Sequence, residues 1–355
     1  MVRSRLRRVA VVVLVAATLA LPRSHRVATA EQPADLSPPP LPRVACLGTI
    51  GLEGSLTPRR GETHAVAETS GIVWLGDDRY AAVMDGSDRL LFLALALGDD
   101  GSPLRVTALD SASLGADRDW EDLAVLGSGP SRRLFVVAED APSLREFLVE
   151  PERGTCRPVA SWPLDGVFPG MRANRGPESL ATDAEGAALW TANEEALTAD
   201  GGPVADGEEG LVRLVRLPLG SGASDGQVRL ADRREWGYAV DPPHARVGLP
   251  GDRPFSGVVA IAALDRNRLL VLERSAGMGI PPLENRIYLA HVAGDGAGRE
   301  GAGGAAADTL PRVTKEILWR GNLGVNLEGL CVGPALGGGA RAIVAIADNG
   351  AATDR

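Results

Sequence analysis

The sequence predicts an all-β fold made by repeating one four-stranded unit, and three observations lead there. A two-strand pattern recurs five times along the chain, and such self-similarity decides a fold before any local reading does. The apolar runs are short, rich in Val, Ile, Leu and Ala, and bounded by Gly, Asp, Asn or Arg, as buried strands are. Every pair of runs except the last is followed by two further strand-like runs.

The copies align on their own residues. The first runs through Thr69-Ser70-Gly71-Ile72-Val73 and then residues 80–85. The second is Trp120-Glu121-Asp122-Leu123-Ala124 and 134–140. The third is Gly176-Pro177-Glu178-Ser179-Leu180 and 188–194. The fourth is Phe255-Ser256-Gly257-Val258 and 269–273. The fifth is Leu327-Glu328-Gly329-Leu330 and 342–349. The lead positions are therefore Ser70, Glu121, Glu178, Ser256 and Glu328. The end positions are Asp85, Glu139, Asn193, Glu273 and Asp348, each 15 to 20 residues further on, which suits a hairpin. Additional runs at 90–97 and 104–109, 144–149 and 157–162, 211–217 and 227–230, and 287–292 and 313–319 complete four strands per copy. Four-stranded units repeated around an axis make a β-propeller of four-stranded blades. Five repeats are visible, and six blades are allowed if the chain ends hide a degenerate one. First strands line the central channel, so lead positions far apart in sequence converge at one mouth.

In chain order, Arg3, Arg5, Arg7 and Arg8 precede an uncharged apolar run over 9–21, and Ala28-Thr29-Ala30 follows. That pattern predicts a secretory signal peptide over residues 1–30 and a secreted or periplasmic protein. No later run is long and apolar enough to span a membrane as a helix. Residues 31–42 hold five prolines and read as a disordered tether. Residues 43–355 then form one β domain, with loops expected at 198–209, 232–254 and 294–308. The run 44–50 can close the ring by pairing the two ends.

The whole chain carries 37 Lys and Arg against 46 Asp and Glu. The first 30 residues hold six arginines and no acid, so the remainder has 31 bases and 46 acids, a formal charge of −15. Such a surface excludes nucleic acid and anionic membrane as partners and accommodates divalent cations. Lys315 is the only lysine, which excludes mechanisms needing several ammonium groups. Three cysteines, Cys46, Cys156 and Cys331, allow one disulfide or three isolated thiols. Cys46 and Cys331 are the expected pair if the N-terminal run lies beside the fifth copy. The CxxC spacing of a structural zinc site is absent.

With Ser70-Gly71-Ile72, Trp120-Glu121-Asp122-Leu123-Ala124, Gly176-Pro177-Glu178-Ser179-Leu180, Asn193-Glu194, Phe255-Ser256-Gly257, Asn326-Leu327-Glu328-Gly329-Leu330 and Ala347-Asp348-Asn349-Gly350 in order, the chain resembles the phytase-like family called "esterase-like activity of phytase". The resemblance covers residue 43 to the end. It implies a secreted or periplasmic β-propeller with phosphoester or ester hydrolase activity. The chain departs from the family pattern by stopping soon after Ala347-Asp348-Asn349-Gly350.

Three chemistries follow. In a metal-assisted phosphoesterase, Glu121, Glu178 and Glu328 face one another at the channel mouth and carry catalysis. With Asp85, Glu273 and Asp348 they would hold a cation, supported by Glu139 and the Asn193 amide. Clustered carboxylates repel unless a cation neutralises them, and hard oxygen donors suit Ca²⁺ or another divalent ion. Arg175, Arg253 and Arg274 would clamp substrate oxygens bidentately. The bland alternative is that acids and serines at strand starts only cap turns. A serine esterase is the second chemistry, with Ser70 or Ser256 served by His64 or His244, although the Gly-x-Ser-x-Gly elbow is absent. The third is a non-catalytic binding propeller presenting Trp236, Tyr238, Pro242, Pro243 and His244 on a loop, with Trp74, Trp190 and Trp319 in the core. A small phosphoester or ester substrate and a monomeric chain are expected.

Overall fold

The computed structural model describes residues 9–17, 43–52, 54–129, 132–204, 208–220, 227–248, 253–280, 282–294, 299–300 and 309–348. Among these the chain is strand almost throughout, with only three-residue 3₁₀ turns such as Pro151–Arg153. It opens with β1 (Val9–Ala17), β2 (Arg43–Leu52) and a two-stranded hairpin of β3 (Ser55–Leu56) and β4 (His64–Ala65). One four-stranded sheet is β5 (Thr69–Gly76), β6 (Arg79–Met84), β7 (Ser87–Leu97) and β8 (Pro103–Arg118). The next is β9 (Trp120–Leu126), β10 (Arg132–Ala138), β11 (Ser143–Glu150) and β12 (Thr155–Pro163). A five-stranded sheet joins β13 (Pro177–Thr182), β14 (Ala188–Asn193), β15 (Gly210–Pro218) and β16 (Arg234–Val240) to the short β20 (Arg299–Glu300). Then come β17 (Phe255–Ala263), β18 (Arg268–Ala276), β19 (Leu283–His291) and β21 (Thr314–Gly321). The last sheet has β22 (Asn326–Ala335) and β23 (Arg341–Asp348) inside, with β1 and β2 outside.

The sheets form a β-propeller. The inner strands touch in a closed cycle: β5 meets β9, β9 meets β13, β13 meets β17, β17 meets β22, and β22 returns to β5. A hydrophobic core fills each space between neighbouring sheets. Phe92 and Trp120 meet in one, Phe135 and Leu180 in the next, and Tyr80 and Val344 across the closure. A blade is buried on both faces, so its central strands must be apolar at every position. Ala342 to Ala347 are all buried for this reason, and the sequence shows a run there rather than an alternation.

Two glycines set how closely the inner strands approach. A Cβ on Gly329 would lie 2.4 Å from the Ser70 carbonyl oxygen, and one on Gly71 would lie 2.4 Å from Asp122 Oδ1. The position after the lead residue is Gly, Asp, Ser, Gly and Gly in the five copies because it faces this crowded contact.

The N-terminal run joins the last sheet as β2. It sits one strand further out than direct pairing of the two ends would place it, because β1 lies between β2 and β23, antiparallel to both. Of the expected signal peptide only Val9–Ala17 is described; the tether at 31–42 lies outside the described residues. Most of the 294–308 tract is likewise outside them, and the described part includes β20. The loop expected over 232–254 begins instead as β16. Trp236 and Tyr238 are fully buried there, so they are core rather than a recognition surface. Their neighbours Asp232, Arg233, Pro242 and Pro243 concealed the strand. Trp190 is buried, while Trp74 and Trp319 pack at the margins of cores. Cys46, Cys156 and Cys331 are all free thiols. No helix among the described residues is long and apolar enough to cross a membrane.

Candidate active site

A β-bulge raises each lead glutamate. Trp120 pairs with Ala138 and Asp122 with Val137, which leaves Glu121 with no partner across the strand. Glu178 is skipped between Pro177 and Ser179, and Glu328 between Leu327 and Gly329. A bulge turns a side chain away from the regular alternation, and here it aims three glutamates at one mouth. The β5–β6 pair is irregular at the same place, between Thr69 and Ile72. The fourth copy differs. Ser256 pairs regularly with Ser275, and the bulge comes later, between Val258 and Ala260.

The bulges also identify the true end positions. Asp85 N–H donates to the Glu68 carbonyl at 2.7 Å, Glu139 N–H to Asp119 at 3.0 Å, and Glu194 N–H to Gly176 at 2.7 Å. Glu194, not Asn193, is therefore the counterpart of Asp85 and Glu139. The Asn193 amide braces the backbone instead: its Nδ2 donates to the Glu195 carbonyl, and its Oδ1 accepts Arg213 N–H at 2.9 Å.

These positions bring Glu121, Glu139 and Glu178 together. Each offers a carboxylate oxygen, and the three oxygens lie within 4.8 Å of one another. Asp85, Asp119 and Glu121 form an overlapping trio by the same measure. Burial raises the pKa of Asp85, Glu121, Glu139 and Glu178. For Glu178 the charges of Glu194, Glu139 and Glu328 add to it, against the pull of Arg274. For Glu121 the charges of Glu178 and Asp119 add to it. Glu139 is pushed up to about 7 by burial despite the Gly176 N–H that it accepts. Asp85 rises to about 8 through burial and its hydrogen bond with Asp119.

An arginine wall stands beside this acidic half. Arg274 donates through Nη1 to Glu328 and, at 3.1 Å, to Asn326 Oδ1; its Nη2 reaches Glu194 Oε1 at 2.8 Å. Arg175 Nη1 donates to Glu194 Oε2 at 3.1 Å. The Phe255 ring lies 4.5 Å from the Arg175 guanidinium and 5.7 Å from that of Arg274. Arg253 Nη2 contacts both Glu195 oxygens, at 2.5 and 2.6 Å. Glu328 is pushed up to about 7 by burial, with Glu194 and Asp348 adding to the shift and Arg274 opposing it.

Of the residues expected here, Glu121, Glu178 and Asp85 fall in the acidic trios. Glu328 joins through Arg274, and Asp348 acts on Glu328 through its charge. Glu273 lies elsewhere. It accepts from Tyr238 Oη at 2.8 Å, Lys315 Nζ at 2.5 Å and Asp241 N–H at 3.1 Å. Without a bulge at Ser256, alternation along β18 turns Arg274 rather than Glu273 to the mouth. Asp119, Glu194 and Glu195 were missed. Asp119 directly precedes Trp120, and Glu194 and Glu195 directly follow Asn193, so one-residue slips in the alignment hid them. Beside the acids a cavity of about 600 Å³ is lined by Asp119, Glu139, Asp165, Arg172 and Asn174, which gives a ligand access.

Among the described residues there are two Ser–His contacts. Ser275 Oγ lies 2.7 Å from His244 Nδ1, and Ser111 Oγ lies 2.8 Å from His64 Nε2. Both serines are buried, and neither is a lead residue. Ser256 Oγ is buried with no hydrogen-bond partner. A nucleophile must reach its substrate, so this geometry gives no support to serine chemistry.

A family model described as "Phytase-like: Esterase-like activity of phytase" matches residues 64–351. The chain belongs to this phytase-like family. No curated protein matches the phytase-like chain. Among solved structures it is similar to Sqt1 from Chaetomium thermophilum, at 11% identity over 86% of this chain and 87% of that one, with a TM-score of 0.30. It is also similar to the N-terminal domain of Nup159, at 12% identity over 82% and 79%, with a TM-score of 0.26. The phytase-like acidic trio consists only of hard oxygen donors, and among the described residues no arginine lies within ion-pair distance of Glu121, Glu139 or Glu178. That donor set fits a divalent cation.

Proposed function

We propose that the chain is an exported, monomeric, five-bladed phytase-like propeller that hydrolyses phosphoester or ester bonds with the help of a divalent cation, Ca²⁺ first. The observation that carries this reading is the convergence of Glu121, Glu139 and Glu178, buried and without an ion-pair partner among the described residues, beside an arginine wall. Glu121, Glu139 and Glu178 would hold the cation, with Asp85 and Asp119 behind Glu121. Bound there, a cation would polarise the scissile group and acidify water.

The chain's own residues do the rest. Arg175, Arg253 and Arg274 bind anionic oxygens of the substrate, each exchanging part of its present carboxylate contact for the ligand. Glu328, held by Arg274 and Asn326, fixes that guanidinium. Glu139, pushed up to about 7 in the cation-free site, takes up a proton near neutral pH, and a bound cation would displace that proton. Phe168, Arg172 and Asn174 line the side from which substrate would arrive.

A second reading, a non-catalytic binding propeller, is favoured by one observation: Arg175, Arg253 and Arg274 are already matched by Glu194, Glu195 and Glu328. Hydrolysis separates the two. Purified protein is offered a phosphomonoester, phytate and a short-chain carboxylic ester, with Ca²⁺ and after chelation. Chelator-sensitive phosphate release is expected. Chelator-insensitive cleavage of the carboxylic ester alone moves the chemistry to a serine. No turnover by protein that melts cooperatively favours the binding propeller.

A further inference from the structure

The channel has a second mouth, lined mainly by apolar side chains. The far ends of β5, β9, β13, β17 and β22 open into a cavity of about 710 Å³. It lies about 20 Å from the carboxylates, the length of an inner strand. Val73, Trp74, Val125, Leu126, Ala263 and Val332 line it, and each is only partly buried. Apolar side chains from four of these strands thus face an open concavity, with Thr182 of β13 beside them. Its volume falls in the range of small-molecule sites, about 300–1,000 Å³.

Arg341, at the start of β23, adds a cation to this wall. Its Nη2 donates to the Gly333 carbonyl at 2.7 Å, and its guanidinium stands 5.9 Å from the Trp74 ring. Its Nε–H is buried and has no acceptor among the described residues. Arg213, Arg216 and Arg286 are more deeply buried, and each is ion-paired to a carboxylate. Arg341 has no carboxylate within ion-pair distance among the described residues. Asp183 and Glu185, also on the cavity wall, are paired with Arg216 at 2.8 Å and with Arg266 at 3.8 Å. A half-buried guanidinium with an unmatched donor, in a chain rich in acids, calls for an anion from outside.

We propose that this mouth binds a small amphiphilic monocarboxylate, with its apolar tail among the five strand ends and its carboxylate on Arg341. The site is independent of the carboxylate mouth and of the hydrolytic reading.

Decanoate is the probe, with decanol as its uncharged counterpart, titrated calorimetrically into the full chain. Decanoate is expected to bind one per chain, and decanol at least about tenfold more weakly, since a charge-assisted hydrogen bond contributes about 1.5–3 kcal/mol. Arg341→Gln should abolish the preference for decanoate. Ala263→Trp, which fills the cavity, should abolish binding of both. Each variant is checked for a cooperative melt, and Arg341→Met replaces Arg341→Gln if that variant fails to fold. No decanoate binding by folded wild-type protein overturns the proposal. So does equal affinity for decanol and decanoate, or unchanged decanoate affinity in both variants.

Discussion

Replacing Asp122 should destabilise the protein and dismantle the acidic trio together. Asp122 is fully buried between β9 and β13. Its Oδ1 accepts the N–H of Leu123, and its Oδ2 accepts the N–H of Leu180 on the neighbouring strand, both at 2.8 Å. The second bond fixes the spacing of Glu121 from Glu178, each of which sits within two residues of one end of it. Asp122→Asn keeps the shape and one acceptor but turns an NH₂ group toward the other N–H. One orphaned buried donor costs about 1–3 kcal/mol. Asp122→Ala orphans both, for about 2–6 kcal/mol, a large share of the roughly 5–15 kcal/mol that holds a domain folded. Guanidinium denaturation measures these differences, and Ca²⁺ titration of the folded Asn variant tests the spacing. Losses below about 0.5 kcal/mol in both variants, with Ca²⁺ binding unchanged, would refute the reasoning.

Further outcomes follow from other parts of the molecule. Burial raises Glu139 and Glu328 to about 7 and Asp85 to about 8. A raised native pKa contributes stability that is complete below the unfolded value, near pH 4, and is lost as pH rises through 7 to 8. With chelator present, the melting temperature should therefore fall between pH 5 and 8, and Ca²⁺ should restore it at pH 8; a rise with pH in chelator contradicts this. Gly329→Ala places a Cβ against three backbone atoms, Ser70 O at 2.4 Å, Ile72 N at 2.8 Å and Gly71 C at 2.9 Å. It should cost about 1–3 kcal/mol by denaturation. Gly202→Ala, where a Cβ meets nothing within 4 Å, is the neutral control. A chain beginning at residue 31, as export processing would leave it, lacks β1 and bares the edge of β23. Its melting temperature should lie below that of the full chain, and equal values would show that β1 adds nothing to the closing sheet.

The propeller was legible because blade strands are buried on both faces, so short Val, Ile, Leu and Ala runs such as 342–347 stand out between Gly and acidic residues. The lead glutamates were legible because a repeated fold repeats its positions. What failed was register. A bulge adds one residue to one strand only, so spacing counted along the chain cannot say whether Asn193 or Glu194 faces the mouth. The backbone hydrogen bonds of Glu139 and Glu194 decide it. The fourth copy carries its bulge elsewhere, which is why Arg274 stands where Glu273 was expected. β16 went unseen because Trp236 and Tyr238 are flanked by charged and proline residues that read as a loop. Arg341 gave no signal in the sequence, since its unmatched charge depends on what the fold leaves out of its reach.

Calcium titration of chelator-treated protein at pH 8 and pH 5.5, with Glu178→Gln alongside, tests the cation site most directly. Wild-type protein should bind at pH 8 and more weakly at pH 5.5, where the raised carboxyls hold protons. Glu178→Gln should fold and melt cooperatively yet lose both binding and turnover. Binding by Glu178→Gln equal to wild type, or no binding by wild type at pH 8, would contradict a metal site at Glu121, Glu139 and Glu178.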